Sequence, residues 1–136
     1  MKQTLIILRG APASGKSTIA EQLRDFNKKI VWLKTDNFKP FFSDDLDGAL
    51  DAVMQTSLVM LSYLLEQGYS VVFEGIFKDP IYAMRAMQIG KDKNILAFAY
   101  QLKCSLEKLQ ERDLSRKGIQ EGCRKPLGND LIETLL

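Results

Sequence analysis

The chain has 136 residues, 46% of them hydrophobic and 26% charged, which suits one domain with one packed core. Nineteen basic against seventeen acidic residues leave a net charge of +2, too mild for a general nucleic-acid or membrane-surface binder. Histidine is absent, which excludes Ser-His-Asp and Cys-His catalysis and imidazole zinc sites. Cys104 and Cys123 cannot form a structural zinc site alone and read as thiols in a reducing compartment. Neither a signal-peptide core nor an apolar run of the roughly 18 residues a membrane helix needs is present, so a cytoplasmic protein is expected.

Thr4 to Leu8 is a continuous apolar run, the pattern of a parallel strand buried on both faces. A glycine-rich loop follows, then a predicted helix from about Lys16 to Phe26 with Ile19, Leu23 and Phe26 on one face. Ile30 to Lys34 reads as a second strand and Thr35 to Asp47 as a loop. Apolar residues at helical spacing predict a long helix from Leu46 to Gln67, stopped by Gly68. Ser70 to Glu74 reads as a third strand. Asp79 and Pro80 then open a helix as cap and first residue, with Gly90 as its expected end. Ile95 to Leu102 is the expected fourth strand. Ser105 caps a further predicted helix ending near Gly118, residues 119–128 form a basic loop, and Asn129 or Asp130 starts a last helix. Strand and helix alternate throughout, which predicts an α/β fold with a parallel sheet between helices.

The loop Gly10-Ala11-Pro12-Ala13-Ser14-Gly15-Lys16-Ser17 fits the phosphate-binding signature of glycine, four residues, glycine, lysine and serine or threonine. Glycines let backbone N–H groups turn inward around phosphate oxygens, and the positive end of the next helix faces the same anions. Lys16 is placed to bridge the β- and γ-phosphates, and the Ser17 hydroxyl to ligate Mg²⁺. Ala13, Ser14 and Thr18 are further expected nucleotide contacts. ATP and Mg²⁺ are therefore the expected ligands.

Asp36 and Glu74 each follow or end a strand, on the side of the sheet where ligands bind in open α/β folds. Asp36 is expected just past a strand that neighbours the phosphate loop in the sheet, within reach of the acceptor side of the γ-phosphate. One carboxylate suits proton removal from an acceptor hydroxyl, the other Mg²⁺ or substrate positioning. Asp44, Asp45, Asp47 and Asp51 read as a solvated helix start. Late in the chain, Arg112 and Arg116 stand four apart on one helix face, with Lys117, Arg124 and Lys125 nearby. Guanidinium groups suit the charge spread over a transferring phosphoryl group. A basic lid over about residues 112–128 is expected, and Arg85 and Arg124 are candidate substrate contacts.

The pieces ILRGAPASGKST, TDNFK, ERDLSRKG and KPLGNDLIETLL together resemble the P-loop kinase group that contains polynucleotide kinase, zeta toxin and chloramphenicol phosphotransferase. The resemblance implies one P-loop kinase-like domain with four parallel strands in spatial order 2-3-1-4. It matches Asp36 to the aspartate that activates the acceptor hydroxyl, and Arg112 and Arg116 to the lid arginines. Where polynucleotide kinases typically carry arginine three residues beyond that aspartate, this chain has Lys39. Relatives continue past the lid into another strand that helps enclose adenine, whereas this chain stops at Leu136. The fourth strand is therefore expected at an open edge where a second copy could pair. The implied activity is transfer of the γ-phosphoryl group to a hydroxyl of a small molecule or a nucleic-acid 5′ end. The rival readings are a truncated, non-catalytic ATP-binding protein and a toxin-like kinase of an activated sugar.

Overall fold

The computed structural model describes residues 2–11, 15–43 and 46–102. Four strands, β1 (Thr4–Gly10), β2 (Ile30–Lys34), β3 (Ser70–Gly75) and β4 (Leu96–Leu102), form one parallel sheet in the order β2-β3-β1-β4. The expected strand order is observed. It also corrects one expectation: the neighbour of β1 on this side is β3, not β2, so Glu74 rather than Asp36 is the carboxylate on the strand next to the phosphate loop.

The apolar runs work because alternate residues serve opposite faces. Leu5, Ile7, Val71 and Phe73 pack on one side beneath α2 (Leu46–Glu66) and α3 (Pro80–Asp92). Ile6, Leu8, Ile30 and Val72 pack on the other beneath Ile19, Ala20 and Leu23 of α1 (Lys16–Phe26). Phe26, expected on the inner face of α1, is exposed at its last turn.

Local chemistry sets the element ends. Gly68 at φ 92° ends α2, with the Gly68 N–H donating to the Leu65 carbonyl and the Tyr69 N–H to the Leu64 carbonyl, the paired bonds of a Schellman cap. Asp79 caps α3, accepting from the Ile81 N–H at 3.0 Å, with Pro80 in the first turn. Two readings change. Thr35–Phe41 is a 3₁₀ helix rather than a loop. Gly90 does not end α3, which runs to Asp92. A Cβ at Gly90 would sit 3.1 Å from Leu5 Cδ2 and 3.3 Å from Ala97 Cβ, so this glycine lets the helix lie close on the sheet.

Candidate functional site

β1 and α1 meet at the phosphate loop, of which residues 12–14 lie outside the described residues, Ala13 and Ser14 among them. Gly15 adopts φ 97° just before α1, a conformation that favours glycine. Among the described residues no side chain caps this helix start, so its first N–H groups are not satisfied from within α1.

Lys16 is buried, and its ammonium donates to the Gly10 and Ala11 carbonyls, each at 2.8 Å. Burial pushes its pKa below the ordinary lysine value, an effect partly offset by the charges of Glu74 and Asp36. A desolvated cation tethered at the mouth of a glycine loop is poised for an anion.

Glu74, at the end of β3, is 3% exposed. Ser17 Oγ donates to its Oε1 at 3.0 Å and lies 3.3 Å from Oε2, and Trp32 Nε1 donates to Oε1 at 3.1 Å. The parallel pairing of β1, β3 and β2 brings these three residues together from separate parts of the chain. Outside them, the Arg24 guanidinium lies 5.4 Å from the centre of the Trp32 ring. Trp32 is a site residue that sequence reasoning missed.

Asp36 and Lys39 form an ion pair at 3.0 Å. Three residues per turn places both on one side of the 3₁₀ helix. Both are half-exposed, and such a pair holds with only about 0–1 kcal/mol, so either partner is easily released to a ligand.

Beside them opens a pocket of about 290 Å³. Its walls are Leu50, Val53 and Met54 of α2 and Ile76 and Phe77 after β3, and Thr35, Asp36, Lys39, Lys78, Asp79 and Tyr82 complete the lining. The apolar walls come from segments distant in sequence and carry no motif. Phe77 has φ 50° and is buried against Phe73, with ring centres 5.4 Å apart. Gly75 makes this bend possible: a Cβ there would stand 2.8 Å from Thr35 Oγ1 and 3.0 Å from the Phe77 ring. The Tyr82 hydroxyl donates to Asp51. That bond, followed by one from Gln55, holds the Asp51 carboxyl below the usual carboxylate range.

Arg85 lies on α3 with Gln55, Val59 and Gln88 along the groove between α2 and α3, and it does not line the pocket beside Asp36. Arg112, Arg116 and Arg124, with the lid at 112–128, lie outside the described residues, as do Cys104, Cys123, Asp44 and Asp45. Among the described residues no helix is long and apolar enough to cross a membrane.

The AAA domain family matches residues 5–124 of the chain. No curated protein matches it. Among solved structures, the fold is similar to a protein of Chloroflexus aurantiacus j-10-fl provisionally described as a kinase, at TM-score 0.69 and 23% identity over 88% of this chain and 71% of that one. A chain of the Pnkp1/Rnl/Hen1 complex matches at TM-score 0.70 and 21% identity, over 82% of this chain and 39% of its own length. The Mycobacterium tuberculosis APS kinase CysC, solved with AMPPNP and APS, matches at TM-score 0.65 and 18% identity over 98% of both chains. The chain belongs to the AAA domain family and has the fold of the small P-loop kinases.

Proposed function

We propose that the chain is an ATP-dependent phosphotransferase that moves the γ-phosphoryl group to an acceptor hydroxyl. The observation that carries this reading is one continuous arrangement at the carboxyl ends of the strands. Buried Lys16 and the Ser17–Glu74 pair stand at the phosphate loop, and the Asp36–Lys39 pair stands at a pocket beside it.

Mg²⁺ fits the residues present. Ser17 and Glu74 offer hard oxygen donors, and among the described residues no cluster of three acidic, cysteine or histidine side chains gathers into an all-protein cage. Mg²⁺ usually keeps several waters and takes one or two protein groups plus substrate phosphates. Ser17 would hold it, with Glu74 behind, and when bound it would neutralise charge on the β- and γ-phosphates.

This chain's own residues do the rest. Lys16 exchanges the Gly10 and Ala11 carbonyls for phosphate oxygens, a stronger pairing because both partners are charged. Asp36 leaves Lys39 and accepts the acceptor's proton while the acceptor oxygen bonds to phosphorus and ADP departs. The resemblance of ERDLSRKG to kinase lids assigns Arg112 and Arg116 to charge on the transferring group.

The test is ADP release with Mg·ATP, with and without a panel of hydroxyl compounds, on wild type and Asp36→Asn. Asparagine keeps the shape but cannot accept the proton. A kcat loss of about 10²–10⁴-fold with ATP affinity nearly unchanged is expected. Full kcat in Asp36→Asn would make Glu74 the candidate base, and lost ATP binding would place Asp36 in the metal shell. ATP binding with no acceptor-dependent ADP release in wild type would favour the non-catalytic reading.

A further inference from the structure

Resting on the phosphotransfer reading, we propose that the acceptor is a small alcohol with an uncharged, apolar body, whose hydroxyl meets Asp36 while its carbon skeleton packs against Leu50, Val53, Met54, Ile76 and Phe77. A nucleic-acid 5′ end is thereby disfavoured.

Size, wall chemistry and charge agree on this assignment. At about 290 Å³, the pocket sits at the small end of the roughly 300–1,000 Å³ typical of small-molecule sites, and five apolar side chains wall it beside its polar groups. A polynucleotide end would need cations for its phosphates and an open aromatic face for its bases. Among the described residues the lining has no surplus of cations, and its one partly open aromatic ring is Tyr82. The lining carries two lysines, Lys39, paired with Asp36 at 3.0 Å, and Lys78, against the carboxylates of Asp36 and Asp79, and the Asp51 carboxylate lies on the Tyr82 hydroxyl. Phe77 is buried against Phe73, and the Tyr82 hydroxyl is held by Asp51. Two lysines against two aspartates leave the lining without net charge, so an acceptor carrying net charge gains no net attraction there, whereas a carbon skeleton gains by leaving water.

The atoms balance without a further reactant. The acceptor oxygen bonds to the γ-phosphorus, the bond from that phosphorus to the bridging oxygen breaks, ADP leaves with the electron pair, and the hydroxyl proton passes to the Asp36 carboxylate and then to water.

The test uses the full chain labelled at its methionine methyl groups, titrated with primary alcohols from ethanol to 1-hexanol, with glycerol, and with a 5′-hydroxyl oligonucleotide. Met54→Leu identifies the Met54 signal, and exposed Met84 on α3 serves as the internal control. Each added methylene should tighten binding at Met54 about fourfold, the equivalent of ~0.8 kcal/mol per buried CH₂, and should raise kcat/KM for ADP release in parallel. Leu50 is half-exposed, so Leu50→Trp should fold while filling the pocket, raising the alcohol KM at least tenfold with the ATP KM unchanged. A flat response along the alcohol series overturns the proposal, as does a Met54 shift that glycerol or the oligonucleotide matches. ADP release with the oligonucleotide and not with alcohols overturns the acceptor class while leaving the kinase reading intact. Alcohol binding at Met54 with Mg·ATP bound but no ADP release overturns the acceptor assignment, and the kinase reading falls with it only where the wider hydroxyl panel gives no acceptor-dependent ADP release either.

Discussion

On the phosphotransfer reading, Lys16 is a residue fitted to a ligand at the expense of the free fold. Burial lowers its pKa, and the charges of Glu74 and Asp36 recover part of that effect. A lysine with a lowered folded-state pKa binds its proton more weakly in the fold than in the unfolded chain. It therefore destabilises the fold wherever both states are protonated, below the folded pKa. That cost fades as pH rises toward the unfolded value near 10.5, where the proton is lost from both. Ligand-free Lys16→Met should accordingly be more stable than wild type at pH 7, with the margin shrinking as pH approaches 10.5. Urea denaturation of both proteins across that range checks it, and a margin that grows with pH would contradict it. Trp32 makes the complementary point. Trp32→Phe removes the donor from a carboxylate that is 3% exposed, and a lost bond to a charged group costs about 1.5–3 kcal/mol. Thermal or urea unfolding should register a loss of that order, and an unchanged midpoint would show that the indole does not restrain Glu74.

At the scale of elements, the sheet presents the site through the ends of its strands, and close approach matters more than side-chain size at two glycines. Gly75→Ala drives a Cβ into Thr35 and Phe77, and overpacking of this kind costs typically about 1–3 kcal/mol. Chemical denaturation should show that loss, together with altered ligand response at the pocket that Phe77 lines. At Gly90 two effects oppose each other. Alanine gains about 1 kcal/mol in helix propensity but presses on Leu5 and Ala97, so Gly90→Ala should be near neutral and Gly90→Val clearly destabilising. These glycines also mark where the sequence was legible. The phosphate loop, the Asp79-Pro80 start of α3 and the Gly68 stop of α2 were readable because each rests on chemistry within a few residues. Gly90 reads as a helix end in the sequence because its role lies across the core at Leu5, 85 positions away in the chain. Trp32 and the pocket walls were invisible for the same reason, since strand register and helix docking bring them into place. The 3₁₀ helix at Thr35–Phe41 reads as a loop in the sequence because proline and polar residues break the longer periodicity that reveals an α-helix.

Across the whole molecule, the helices on the two faces fix the strands, and the strands hold Lys16, Ser17 and Glu74 at one end of the sheet, with Asp36 just beyond β2. The central claim is that this end of the sheet holds the phosphates of Mg·ATP. Isothermal titration with ATP, with and without Mg²⁺, tests it on wild type, Lys16→Ala and Ser17→Ala, with circular dichroism showing that all three are folded. Wild type should bind ATP more tightly with Mg²⁺ than without. Lys16→Ala should lose about 10- to 100-fold in affinity, as expected for a charge-assisted contact of roughly 1.5–3 kcal/mol, and Ser17→Ala should lose most of the Mg²⁺ dependence. Wild-type ATP affinity in both folded variants would contradict the account.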